Sequence, residues 1–190
     1  MKCKPLLDQG DMRATRVVGR ACRRGGRGTY LLVLHLTRKR TIVVGTIGRV
    51  MFRSGFYVYA GSAMGGLAAR LVRHRRTRKP CHWHIDYLRR RARFRGAVAI
   101  VSAARLECRL AARVRQIAGR DVPGFGCSDC ECRSHLFWFV RDPLRDSRLR
   151  KVLRTLGGSA YLVSSNPASG RASEFGPTHT RNSPGSTVGR

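Results

Sequence analysis

Acidic residues are scarce in this chain. Asp and Glu total 10 against 39 Lys and Arg, leaving a formal net charge of +29. Such an excess repels itself unless a polyanion screens it. Nucleic acid is the leading partner, because neutralising phosphates releases condensed counterions. DNA is the expected ligand, RNA is the other polyanion the charge admits, and an anionic membrane surface is the runner-up. Lysine is scarce too: only five of the basic residues are Lys. Arginine forks suit phosphate oxygens, although GC-rich coding would also favour Arg codons. Long apolar runs are missing. YLLVL and AVAIVSAA are strand-sized, too short to cross a bilayer, so no membrane insertion is expected. The start, MKCKPLLDQGDMRATR, lacks the apolar segment of a secretory leader. The seven cysteines are an odd number without secretory features, so reduced thiols in a cytoplasm, with metal, fit better than a disulfide framework. Internal repeats are absent, and the sequence does not specify oligomeric state.

What is present reads as one domain with ragged ends. Residues 1–27 are a polar, basic arm, and residues 164–190 are a Ser/Gly/Pro-rich tail expected to be disordered, because it has too little apolar surface to offset ordering entropy. Between them, residues 28–163 alternate strand and helix patterns. Strands are expected over Tyr30–Leu36, Phe56–Ala60, Ala97–Ser102, His135–Val140 and Ala160–Val163. TIVVGTIGRV, split by Gly45 and Gly48, suggests a hairpin. Helices are expected over Gly66–Arg76, Ile85–Arg91, Ala104–Ala118 and Pro143–Leu156, the last opened by proline. The class is α+β: a small, mostly antiparallel sheet flanked by helices.

The stretch FYVYAGSAMGGLAARLVRH concentrates chemistry. Tyr57 and Tyr59 share a strand face. Gly61 permits a tight turn, and Ser62 is placed to cap the helix after it. Leu67, Arg70, Leu71 and His74 then fall on one helical face. An inward arginine wants an anion, since an unpaired buried charge is costly. The plain alternative is that Arg70 snorkels outward and His74 is a surface group. Arg73, Arg75 and Arg76, with Arg78 and Lys79 in the run VRHRRTRK, point elsewhere and would track a nucleic-acid backbone, or form a merely solvated face.

Gly28-Thr29-Tyr30 and Tyr59-Ala60-Gly61 together resemble the two half-motifs of the GIY-YIG nuclease superfamily. Arg70 and His74 match the arginine of its following helix and the histidine one turn later. Glu107, in RLECRLAARV, matches its metal-binding glutamate. Taken alone, Glu107 would be a plain intrahelical ion pair worth ~0.3–0.5 kcal/mol. GFYVYAGSA, HWHIDYL and SDCECRSHL extend the likeness to the Uri-type branch, as far as about Phe139. One departure is the gap of 29 positions between Tyr30 and Tyr59, which makes the intervening hairpin an inserted excursion. The family's late asparagine has no clear counterpart; Asn166 falls in the tail. The resemblance implies a metal-dependent endonuclease hydrolysing DNA phosphodiesters. Glu107 would hold Mg²⁺ (or Mn²⁺), and Arg70 would meet the phosphate. Tyr30 would orient or deprotonate water with help from Tyr59, its phenolate favoured by nearby cations and a metal. His74 is the other candidate base, and the sequence does not choose between them. The alternative is a catalytically silent nucleic-acid-binding protein on the same scaffold. The catalytic reading requires Tyr30, Arg70 and Glu107 to share one pocket beside Tyr59.

A second constellation lies in PCHWHIDYL and GCSDCECRSHL. Thiolates and imidazoles at this spacing suit Zn²⁺. Nine residues supplying all four ligands would be cramped, so the expected set is Cys130, Cys132 and His135 with His82 or His84. The alternative is that the thiols simply pack. Asp86 and Asp129 are candidate supporting groups or additional Mg²⁺ ligands. Trp83, Trp138, Phe137 and Phe139 would stack on bases of an opened strand, or fill the core.

Overall fold

The computed structural model describes residues 26–156, 160–164 and 174–175. The 1–27 arm therefore lies almost wholly outside the described residues, as do Asn166 and most of the 164–190 tail.

The fold is α+β. Its elements run β1 (Gly28–Leu36), β2 (Arg40–Val44), β3 (Gly48–Phe52), β4 (Gly55–Ala63), α1 (Leu67–Arg75), α2 (His84–Arg89), β5 (Arg93–Val101), α3 (Glu107–Arg115), β6 (Arg120–Asp121), β7 (Leu136–Phe139), α4 (Ser147–Arg154), β8 (Ala160–Ser164) and β9 (Glu174–Phe175). The main sheet has the order β6-β7-β4-β1-β5-β8-β9 and is antiparallel at every pairing. β1 is central, and helices cover both faces of the sheet. That is why its sequence reads as an unbroken apolar run rather than an alternation. Tyr30, Leu32, Leu34 and Leu36 face α1, α2 and the β2–β3 hairpin through Leu67, Leu71, Ile85, Leu88, Val44 and Phe52. Leu31 and Val33 face α3 and α4 through Leu110, Val114, Leu149 and Leu153.

The expected excursion forms its own two-stranded sheet, with a 3-10 turn at Gly45–Ile47 between β2 and β3. Gly45 and Gly48 take φ of +43° and +80°, values that favour glycine. Because the hairpin closes on itself, β1 and β4 pair directly, with Tyr30 opposite Gly61 and Leu32 opposite Tyr59. The 29-position gap thus leaves the two half-motifs on adjacent strands.

Several local expectations are corrected. Gly61 is not a turn residue, because β4 runs on to Ala63. Its lack of a side chain serves a close approach instead. An added Cβ would lie 2.5 Å from the Tyr30 hydroxyl and 2.9 Å from a ring carbon of Tyr59. Ser62 stays in the strand, and α1 begins after Gly66 with no side-chain cap. The helix expected over Pro143–Leu156 is interrupted. Pro143–Arg145 is a 3-10 turn, and Asp146 restarts the chain as α4 by accepting from the Arg148 amide. The tail expected from 164 onward contributes Ser164 to β8 and Glu174–Phe175 to β9, which pair opposite Ala160 and Tyr161. Backbone pairing to an open sheet edge, which composition does not report, accounts for both.

Candidate active site

Four elements meet at one end of the sheet. Tyr30 (β1) and Tyr59 (β4) lie on the same face, with ring centroids 6.3 Å apart. α1 buries Leu67 and Leu71, and this turns Arg70 and His74 toward the tyrosines. His74 is fully buried, and its Nε2 lies 2.8 Å from the Tyr30 hydroxyl. Its Nδ1 lies 3.9 Å from Asp86 Oδ1. Asp86, buried on α2, accepts from Arg73 at 2.7 Å, from Lys79, and from the His82 and Trp83 amides at 3.1 and 3.3 Å. The Arg70 guanidinium stacks over Trp83, 3.9 Å from the ring centroid.

Tyr30, Tyr59, Arg70 and Trp83 line a cleft of about 690 Å³ together with Glu107 and His135, while His74 and Asp86 lie behind that lining. Glu107 reaches it from the opposite layer, as the first residue of α3. The entry to that helix is fixed by β1: the Thr29 hydroxyl accepts from the Leu106 amide at 3.0 Å. Glu107 Oε2 is buried and has no hydrogen-bond partner among the described residues, and the same holds for Ser62 Oγ. An orphaned buried carboxylate oxygen fits a site for a hard cation.

Burial, then the neighbouring Tyr59, holds the Tyr30 hydroxyl well above its ordinary pKa despite Arg70. Burial likewise raises Tyr59. Without a metal ion the phenolate is therefore disfavoured, because desolvation outweighs the side-chain cations. Burial, aided by Lys79, pushes His74 down to about 3 against the pull of Asp86. His74 is thus a neutral imidazole at neutral pH. Burial opposes the Asp86 charge, but hydrogen bonds from Lys79 and the His82 amide keep its carboxyl below the ordinary value.

Two residues assigned to nucleic acid are engaged inside. Arg73 and Lys79 hold Asp86, and Lys79 is itself buried. Arg75 lies 5.3 Å over Phe94, while Arg76 and Arg78 are exposed just beyond α1. Phe137 and Phe139 are core, and Trp138 donates to Ser54 O. Of these four aromatics only Trp83 faces the cleft.

The expected zinc ligands are also revised. Cys130, Cys132 and His135 do converge, but the fourth member is Cys108 from α3. The four ligand atoms lie within 4.8 Å of one another, with Cys130 Sγ and His135 Nε2 at 3.6 Å. The cluster can hold a metal ion. His82 and His84 diverge because α2 starts at His84, whose Nδ1 accepts from the Gly126 amide at 3.2 Å. Cys127 is outside the cluster. Burial and hydrogen bonds with Cys132 and Cys130 push the Cys108 thiol up to about 12. Asp129 lines the cleft rim.

The sequence profile of a domain of unknown function, DUF123, matches residues 29–157. The chain belongs to the DUF123 family. No curated protein and no solved structure matches it. The DUF123 span takes in the whole cleft and the cysteine cluster. Among the described residues, no helix of this DUF123 chain is long and apolar enough to cross a membrane.

Spacing did not reveal Cys108, because it lies 22 positions before Cys130; its one signal was adjacency to Glu107. The role of Thr29 was hidden inside the half-motif.

Buried His74 makes the DUF123 domain acid-sensitive. Its folded pKa of about 3 lies below an unfolded value near ~6.5. Between those values the unfolded chain binds more protons, so stability falls as pH falls through the window, by up to ~1.4 kcal/mol per unit. Urea unfolding from pH 7 to pH 4 is expected to give a shallower pH slope for His74→Gln than for the unaltered chain. Equal slopes would remove His74 as the cause.

Proposed function

We propose that this DUF123 protein is a metal-dependent endonuclease that hydrolyses phosphodiester bonds in DNA, of GIY-YIG type and of its Uri-like branch. One observation carries the reading: Tyr30, Tyr59, Arg70 and Glu107, scattered over 78 residues of sequence, line a single cleft in which a buried oxygen of the Glu107 carboxylate has no partner among the described residues. Glu107 would hold Mg²⁺ or Mn²⁺, which when bound supplies Lewis-acid stabilisation of charge on the phosphate and leaving oxygen. The remaining work falls to the chain. Arg70, held over the Trp83 ring, presents its fork to the phosphate and to the charge that develops there. Tyr30 orients the attacking water. With the His74 proton on Nδ1, facing Asp86, Nε2 accepts the Tyr30 hydroxyl. With Tyr30 held above and His74 held well below their ordinary pKa values, the pair stays neutral: it fixes the Tyr30 oxygen on the attacking water, whose proton passes to solvent. No free phenolate is needed, which suits the raised Tyr30 pKa. Tyr59 packs against Tyr30 and narrows the cleft. Exposed Arg76 and Arg78 lie beside α1 as contacts for the nucleic-acid backbone.

The test is a nicking assay on plasmid, linear, branched and single-stranded DNA, with Mg²⁺, with Mn²⁺ and with chelator. Cleavage is expected only with a divalent ion. Tyr30→Phe is expected to slow it by about 10²-fold while DNA binding persists. Salt-sensitive binding without metal-dependent cleavage would leave a silent nucleic-acid-binding protein instead.

A further inference from the structure

We infer that Cys108, Cys130, Cys132 and His135 bind one zinc ion, and that this ion pins the start of α3 and so sets the position of Glu107. The cluster is the one convergence of three or more potential ligands found among the described residues. Its donor set is three thiols and an imidazole, soft and borderline groups that favour zinc over magnesium. Tetrahedral zinc with Zn–S near ~2.3 Å and Zn–N near ~2.05 Å places S and N about 3.6 Å apart. Cys130 Sγ and His135 Nε2 are separated by 3.6 Å.

The four ligands come from two separate pieces of chain. Cys130, Cys132 and His135 belong to the long loop between β6 and β7, and Cys108 is the second residue of α3. His135 is itself anchored to the catalytic sheet. Its carbonyl accepts from the Ala60 amide at 2.9 Å, between Tyr59 and Gly61, and its amide donates to Phe125 O at 2.8 Å. The N-terminus of α3, by contrast, has no side-chain cap, and the Thr29 contact holds only the residue before Glu107. A metal bond to Cys108 would fasten the residue immediately after Glu107. It would link α3 through His135 to the strand carrying Tyr59. Zinc would then act through position, without touching substrate. This second half rests on the nuclease reading; the occupancy of the site does not.

The experiment begins with metal analysis of the full chain purified without chelator, where one zinc per chain is expected. Cobalt titration of the metal-stripped chain should give the intense visible absorption of a tetrahedral ion together with thiolate charge transfer. Cys108→Ser should weaken zinc binding at least tenfold and remove one thiolate's share of the charge-transfer band, whereas Cys127→Ser should change neither. In the nicking assay Cys108→Ser should lose at least tenfold in rate at unchanged DNA affinity. Absence of zinc with a weak, octahedral cobalt spectrum would overturn the inference, even if the variants misfold. So would equal zinc loss in the two variants, or a disulfide joining two of the cluster thiols. Stoichiometric zinc with no cleavage of any DNA would sink the nuclease reading while leaving the site intact. Cleavage by Cys108→Ser at the full rate would sink the positioning role.

Discussion

Glu107→Gln is expected to lower Mg²⁺-dependent nicking by about 10³-fold or more, with DNA binding retained. The substitution keeps the shape of the side chain but removes the charge that a hard cation needs. Among the described residues the buried Oε2 of Glu107 has no hydrogen-bond partner, so the change breaks no such contact there. The loss should therefore appear in cleavage rate rather than in melting temperature. Binding should hold, because the chain keeps a large excess of positive charge over its 10 acids. Single-turnover cleavage and filter binding on the same preparations would separate the two effects. If Glu107→Gln cleaves as fast as the unaltered chain, the carboxylate does not hold the metal and the mechanism fails at its centre.

Asp86→Asn is expected to cost about 3–5 kcal/mol of stability, because it leaves Arg73 and buried Lys79 without their shared anion. In a domain of this size that corresponds to a fall of roughly 10 °C in melting temperature. The same carboxylate gathers the His82 and Trp83 amides at the entry to α2, so the helix start should loosen with it. It also faces His74, so cleavage should fall even at temperatures where the variant stays folded. A melting temperature within a degree or two of the unaltered chain would show that water or another group takes over the two cations.

The architecture was readable where one physical signal dominated. β1 announced itself as an apolar run, and the β2–β3 hairpin as β-branched residues broken by glycines. Residues 28–163 yielded each long strand to within a few positions, because period and length are local properties. The misplacements have specific causes. Gly61 reads equally well as a turn or as a gap for two tyrosines, and only the register opposite Tyr30 decides. Lys79 and Arg73 look like surface charges until Asp86 arrives from the next helix. Cys108 has no spacing partner in its own helix, so its convergence with the loop cysteines is a property of the fold. Counting cations also leaves out the cost of burying the Tyr30 ring, which in the protein without metal outweighs them. The residues facing the cleft were thus named largely from pattern, while their protonation states and the groups that hold them were not.

The β2–β3 hairpin carries a last consequence. Leu36 and Gly55, the residues on either side of it, face each other across the β1–β4 ladder, so a two- or three-residue turn would suffice to join them. The excursion is removable as far as the backbone is concerned. Yet it lends Val44 and Phe52 to the roof over Tyr57 and Phe125. A shortened relative would have to thatch that face with other side chains, so any loss of the hairpin in evolution should travel with larger residues on α2 or on the loop bearing Phe125.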